Sequence, residues 1–463
     1  MSAFFSDLSA PRAGDRRGRR GYVLLTTAAM VLLVLVPAIG LSIDVGMMYL
    51  VQARLSGASD AAALAGARAL ARGTDDSTQR SNAESTANTY FYSNFPAGYF
   101  ASTNLQVSNV AATDSTYMRS ITTTASVDLP FIFMRSLSLD HVTLRASAKS
   151  TRRDVNVMIV MDRSTSLTNS GSCDPLKAAA VNFVEKFAES RDNLGLITFA
   201  TSSRVDVHLT TTFKSSVEGT LNSVVCSGAT NSAQALWQSY QELAGLAQTG
   251  ALNVILFFTD GRPTAVTENF PVIGNCNNRN PLRGVLTPGY NSSGVATSIL
   301  GLYKQDATAQ PMAHDQTPIT SPGGCHSSTY QDVSNAPLID YWGNSLNATA
   351  YRTVQTSGTG LNATQPQNVE NFSTNAADDA ALRIRRGDPD ALNGNRTLPG
   401  VTIFSIGLGN VDEVLLKRIA NDPSLAPNPV AAGNLGRYVY AANATDLDQA
   451  FTRVASELLR LAR

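Results

Sequence analysis

Net charge is what this sequence most plainly lacks. Lys and Arg together number 36, Asp and Glu also number 36, and the chain of 463 residues is formally neutral. Proteins that bind nucleic acid usually carry a basic excess to neutralise phosphates, so nucleic acid is not expected as a partner. Cysteine and histidine are scarce, at four each. No Cys-x-x-Cys pair occurs, which argues against zinc-ribbon or thioredoxin-type chemistry, and four dispersed histidines do not make a histidine-rich metal centre. Gly-x-Ser-x-Gly, His-Glu-x-x-His and phosphate-loop signatures are absent. Asp162 and Ser164 are too close in sequence to imply a triad, and no histidine falls in a related motif. The chain is therefore expected not to be an enzyme.

Apolar sequence is not lacking. Hydrophobic residues make up 43% of the chain, enough for a substantial core. Arg12, Arg16, Arg17, Arg19 and Arg20 precede an uncharged run from Gly21 to Ile43. As a helix this run spans roughly 34 Å at about 1.5 Å per residue, against a bilayer core of about 30 Å. A cleaved signal peptide has a shorter apolar core, about 7–15 residues, followed by a small-x-small site, so a retained anchor is the expectation. The arginines place the N-terminus in the cytoplasm and the bulk of the chain on the far side, where cysteine pairing is permissible. Residues 1–20 read as a cytoplasmic basic tail and 21–73 as a transmembrane helix with a helical extension. Pro37 is a candidate kink, and Gly46, Gly57, Ala61 to Ala63 and Ala65 allow close helix approach.

Residues 74–150 read as a small β-rich module. Its first third carries only weak helical and loop signals, and LQVSNVAAT, SITTTASVDL and VTLRASAKS read as strands. The apolar stretch PFIFMRSLSLD interrupts them and is expected to pack on the sheet, with docking against a neighbour as the alternative. From residue 151 apolar strands alternate with amphipathic helices: VNVMIVMD, NLGLITFA, ALNVILFFTDG, VTIFSIGLG and RYVYAANA. Strands without alternation belong to a sheet covered on both faces, so 151–463 is predicted to be an α/β, doubly wound, mostly parallel domain. Asp174 is placed to cap its first helix, with Pro175 in the first turn. Residues 263–375, rich in Asn, Ser, Thr, Gly and Pro, are too long for an ordinary loop and read as an insertion, partly ordered at best. His314 and His326 lie there without companion ligands.

In such a sheet, ligands bind outside the carboxyl ends of the strands. Asp162 ends the first strand, followed by Ser164 and Ser166. Thr230 lies in a second loop just before a helix, and Asp260 ends a third strand. Two carboxylates and three hydroxyls are hard oxygen donors that suit Mg²⁺ or Mn²⁺, with Ca²⁺ as a further candidate.

DRSTS, from Asp162 to Ser166, resembles the Asp-x-Ser-x-Ser motif of von Willebrand factor type A (VWA) domains. Thr230 within GATN and Asp260 within FFTDG stand where that family's other two metal-ion-dependent adhesion site elements occur. The resemblance implies that Ser164 and Ser166 bind the ion directly, Thr230 directly or through water, and Asp162 and Asp260 largely through bridging waters. The N-terminal part, with its D-x-G…Y-x-x-x-x-R-L…A-x-D-A-A-A-L-A-G-A pattern, resembles TadG-like proteins of the tight-adherence (Flp) pilus system. Thr26 stands five residues after Gly21, where related pseudopilins have a glutamate, and this favours a retained anchor. The two resemblances imply a single-pass protein of the bacterial inner membrane whose periplasmic or extracellular VWA domain binds a partner with an acidic residue, from among the pilus-assembly components. A surface adhesin for host or matrix ligands, and a structural envelope protein whose metal only stabilises the fold, are the alternatives. Cys173 with Cys226, and Cys276 with Cys325, are the expected disulfides, with free thiols or another connectivity left open. Arg386-Gly387-Asp388 reads as a solvated turn.

Overall fold

The computed structural model describes residues 16–70, 76–115, 117–270, 282–291, 295–303, 335–347, 351–425 and 433–462. The chain divides into two compact units. One takes in residues up to 69, 80–112 and 120–150; the other takes in 70–79, 113–119 and 151–463.

The first unit is built on a long helix made of α1 (Arg16–Met30), a π-helical turn (Val31–Leu35) and α2 (Val36–Ala69). The wide turn lies just ahead of Pro37. A proline lacks the N–H for its i−4 bond and its ring crowds the carbonyl of Leu33, so the backbone opens by one residue there. The stretch Tyr22–Ala69 is long and apolar enough to cross a membrane. Its C-terminal part buries Val51, Leu55, Ala58, Ala62 and Gly66. A Cβ on Gly66 would fall 2.6 Å from Ile121 Cδ1 and 3.1 Å from Ala87 Cβ, so the small residues of this helix let it close on its own chain.

α3 (Asp76–Asn94) is a full helix in a stretch whose residues carry only weak helical signals. Strands β1 (Thr103–Ser115), β2 (Met118–Pro130) and β3 (His141–Arg153) form a sheet in that order. The stretch Phe131–Leu139 does not pack on the sheet as expected. It forms a 3₁₀ turn at Met134–Leu137, tied to α2: Asp44, fully buried, accepts the backbone N–H groups of Ile132 (3.0 Å), Phe133 (2.9 Å) and Met134 (2.7 Å). Three successive N–H groups entering a turn need acceptors, and one carboxylate supplies them.

In the second unit, β4 (Val155–Asp162), β5 (Asn193–Phe199), β6 (Ser203–Thr210), β7 (Leu252–Thr259), β14 (Thr402–Leu408) and β15 (Tyr438–Ala441) form a six-stranded sheet ordered β15-β14-β7-β4-β5-β6. All neighbours are parallel except β5 and β6, which form an antiparallel pair. The edge strand β6 is additional to the strands expected from the sequence. Two cores cover the two faces. One holds Phe199, Trp237, Tyr240, Phe257 and Phe372; the other holds Phe183, Phe187, Phe258, Phe451 and Leu458. This is the predicted mostly parallel α/β fold, with one antiparallel edge.

The helices are α4 (Thr165–Asn169), α5 (Cys173–Val184), α6 (Lys214–Ser223), α7 (Ser232–Leu246), α8 (Pro366–Arg386), α9 (Glu413–Ala420) and α10 (Leu447–Leu461). Ser172, not Asp174, holds the N-cap position of α5. Asp174 lies in the first turn and pairs with Lys177 at 2.9 Å, where its charge still complements the helix dipole. Between β7 and β14 lie β8 (Val266–Phe270), β9 (Leu282–Tyr290) and β10 (Ala296–Tyr303), a sheet ordered β10-β9-β8, and a smaller sheet of β11 (Asn335–Ala336), β12 (Thr356–Ser357) and β13 (Gly360–Asn362). α8 starts at Pro366, before residue 375, because Val369, Phe372, Ala376, Ala380 and Ile384 recur at helical spacing and are buried. His314 and His326 lie outside the described residues.

Two buried acids in this region predict a pH effect. Neither carboxylate oxygen of Glu268 has a hydrogen-bond partner among the described residues, and burial, reinforced by the nearby Asp340, pushes its pKa well up. Burial likewise pushes Asp340 up to about 7, against its hydrogen bonds from Asn344 and Trp342. Both acids hold their protons more tightly when folded. Below about pH 4 they are neutral in either state; as pH rises, the unfolded chain ionises first and stability falls. Thermal unfolding should therefore occur at lower temperature at pH 8 than at pH 5, and Glu268→Gln should flatten that difference.

Candidate functional site

Parallel register sets the geometry. Met161 of β4 is level with Phe258 of β7, and Asp162 with Phe199 of β5, so Asp162, Thr259 and Asp260 emerge together at the carboxyl edge. Asp162 is fully buried and held at both oxygens. Oδ1 accepts the N–H of Ser164 at 2.7 Å and Oδ2 accepts the hydroxyl of Thr259 at 2.6 Å. The first bond is a short Asx-type turn that directs the chain away from the strand and into α4.

The two serines meet Asp260 across the gap between strands. Ser164 Oγ and Ser166 Oγ are 2.9 Å apart; Ser166 Oγ donates to Asp260 Oδ1 at 2.6 Å, and Ser164 Oγ reaches the same oxygen at 3.4 Å. A methyl placed on Gly261 would lie 3.8 Å from Ser166 Oγ and 4.0 Å from Thr230 Oγ1, so the threonine hydroxyl is on the same rim. Thr230 is positioned by its backbone: its N–H donates to Thr264 Oγ1 at 3.0 Å and its carbonyl accepts the N–H of Thr264 at 2.9 Å. Asp162, Ser164, Ser166, Thr230 and Asp260 are thus brought to one edge from three loops.

Those loops are fastened to each other. Thr165 N–H donates to Gly228 O at 3.0 Å, Gly228 N–H to Thr165 Oγ1 at 2.7 Å, and Ser227 N–H to Arg163 O at 2.7 Å. Cys173 and Cys226 form a disulfide beside the same loops; Cys276 and Cys325 lie outside the described residues. The disulfide bridges a sequence separation of 53. On a chain-entropy model such a loop is worth about 4 kcal/mol, so reduction or Cys173→Ser should lower the melting temperature measurably.

Sequence reading missed several contributors. Thr259 was hidden inside an apolar strand, although its place directly before Asp260 marks it. Arg163, fully buried, donates from Nε to Thr198 Oγ1 at 3.1 Å, and that hydroxyl donates to Asp206 at 2.5 Å, so the Asp162–Ser164 turn is braced from β5 and β6. Arg262, exposed next to Gly261, pairs with Glu370 at 3.6 Å and puts a positive charge at the rim.

Electrostatically the cluster is under strain. Burial pushes Asp162 up to about 7, the charge of Asp260 adds to the rise, and the bonds from Thr259 and Ser164 only partly oppose it. Asp260 is also raised, by burial. Two carboxylates and neighbouring hydroxyls, all oxygen, with each carboxylate disfavoured as an anion, fit a hard divalent cation. Among the described residues no group of three or more His, Cys, Asp or Glu gathers as a metal cluster; this rim uses hydroxyls in their place.

Arg386-Gly387-Asp388 forms the end of α8. Gly387 takes the left-handed cap conformation (φ 72°) and the carbonyl of Asp388 accepts from Tyr240.

Two family models match the chain. Residues 157–262 match the von Willebrand factor type A domain, and residues 21–69 match the Flp pilus-assembly TadE/G-like family. The chain thus joins an N-terminal segment that matches a Tad pilus-assembly model to a segment that matches the VWA domain. No curated protein matches significantly. Similar solved structures include the pilus adhesin SpaC from Lactobacillus rhamnosus GG, at 14% identity and a TM-score of 0.37, covering 77% of this chain and 35% of SpaC. The PilB minor pilin from Streptococcus sanguinis is 13% identical, with a TM-score of 0.35, covering 78% of this chain and 79% of PilB. The vWF domain of the type V pili tip protein Mfa5 from Porphyromonas gingivalis is 16% identical, with a TM-score of 0.36, covering 67% of this chain and 97% of that domain. This chain spans about a third of the length of SpaC.

Proposed function

We propose that this protein is held in the bacterial inner membrane by its N-terminal helix, with the VWA domain outside the cytoplasm, and that it binds a protein partner of the pilus-assembly apparatus through a divalent cation. Mg²⁺ is the favoured ion, with Mn²⁺ or Ca²⁺ as substitutes. Ser164, Ser166 and Thr230 would hold it directly, with Asp162 and Asp260 supplying charge behind them. The bound ion supplies a positive centre for an acidic side chain of the partner. The observation that carries this reading is the meeting of Ser164, Ser166 and Asp260 within hydrogen-bond distance at the end of two parallel strands. The role we propose is binding: the hydroxyls serve as oxygen donors to the ion, and Asp260 sets their direction.

Capture of partners from cell envelopes, with and without a chelator, tests the proposal. A partner that leaves on chelation and returns with Mg²⁺ supports it; a partner set unchanged by chelation counts against it. Asp162→Ala sorts the alternatives. Lost pilus assembly with a folded, exported protein favours the assembly role. Lost host-cell binding with intact pili favours an adhesin, and unfolding alone favours a structural ion.

A further inference from the structure

We infer that the turn Phe131–Leu139 is a second membrane contact, an apolar wedge that enters the outer boundary of the bilayer beside the anchoring helix. The inference rests on the membrane reading of that helix. It comes from three observations within the first unit.

The turn is apolar and faces outward. Ile132 is 62% exposed, Phe133 41% and Leu139 49%, in a stretch that buries little of its own surface. Exposed apolar side chains grouped on one turn mark an interaction surface.

The turn also sits at membrane depth. Phe133 packs directly on Gly40: a Cβ there would fall 2.6 Å from Phe133 Cγ, so only glycine admits the ring. Gly40 lies three residues inside the end of the uncharged run that closes at Ile43. At about 1.5 Å per residue this is roughly 5 Å from the end of the apolar span, at the boundary between acyl chains and headgroups. Leu41 and Ile43, which flank this contact in the sequence of α2, are exposed apolar residues as well.

Its backbone, in addition, is prepared for low water. Non-helical chain at membrane depth needs its N–H groups satisfied internally. Phe131 N–H donates to Asp140 O at 3.0 Å; those of Ile132, Phe133 and Met134 donate to Asp44; Ser138 N–H donates to Arg135 O at 3.1 Å and Leu139 N–H to Met134 O at 3.3 Å. Asp44, the first charge after the apolar run, is buried under the turn and spent on these bonds, so it does not face lipid as a bare carboxylate. Arg135, largely exposed, pairs with Asp140 at 3.7 Å, so the charges at the polar end of the turn offset each other. A turn docking against protein has no need of this depth, and so a lipid surface is the occupant that fits.

Full-length protein reconstituted in phosphatidylcholine–phosphatidylglycerol vesicles tests this. Ile132→Trp and, as a reference within the span, Leu33→Trp are made separately, and quenching by lipids brominated near the headgroup or deep in the chain is read as the difference from the parent. Both sites are exposed, so both variants should fold. The expected result is loss of Ile132→Trp emission to shallow-brominated lipid, and loss of Leu33→Trp emission to deep-brominated lipid. Quenching at Leu33→Trp with none at Ile132→Trp overturns the wedge alone. A blue-shifted but unquenched Ile132→Trp also overturns it, since protein then covers the turn. Quenching at neither site overturns the membrane reading and the wedge with it.

Discussion

Asp260→Ala is expected to weaken Mg²⁺ and Mn²⁺ binding about ten- to a hundredfold, or ~1.4–2.7 kcal/mol, in a calorimetric titration of the reconstituted protein. The carboxylate accepts the hydroxyl of Ser166 and sets where both serine oxygens point, so its loss removes charge and orientation together. The variant carries a second signature. In chelator it should be at least as stable as the parent, because the like charge that works against Asp162 is gone. The parent compared with and without chelator separates a binding site from a structural ion: removing a structural ion unfolds the domain, whereas removing one that only binds a partner leaves a folded domain. Asp260→Asn refines the point: it keeps an acceptor for Ser166 and removes only the charge.

Asp44→Ala should produce the largest effect in the first unit. It leaves the N–H groups of Ile132, Phe133 and Met134 without their acceptor. Hydrogen bonds to a charged group contribute about 1.5–3 kcal/mol each and do not add fully, so release of the turn by roughly 3 kcal/mol or more is expected. Arg135 reports it, because trypsin cuts after an arginine only when the surrounding chain opens. The variant should be cut there much faster than the parent, with Asp44→Asn in between because one carbonyl oxygen remains. Equal rates in all three would contradict the role given to Asp44.

The strand-end residues were legible in sequence because their geometry is local. Asp162, Ser164 and Ser166 lie within one turn, and Asp260 directly follows a fully buried strand, so apolar runs ending in oxygen donors locate them without tertiary knowledge. Thr230 is different: its place just before a helix suggests it, but only the arrangement of loops puts it near the others. What escaped is what tertiary packing decides. α3 buries Ala83, Ala87 and Phe91 at a spacing of four, but alanines among polar residues give a faint stripe. β6 is a partly exposed edge strand whose burial never alternates cleanly. Asp44 directly follows the apolar run, and nothing near it in sequence reveals that its partners are some ninety residues away.

Anomalous scattering from a Mn²⁺-soaked crystal is the most direct measurement of the central claim. One peak per chain, in contact with the hydroxyls of Ser164 and Ser166 on the edge shared by β4 and β7, and absent from Asp260→Ala, is the predicted result. A fully occupied ion bound elsewhere, with these hydroxyls still bonded to Asp260, would contradict it.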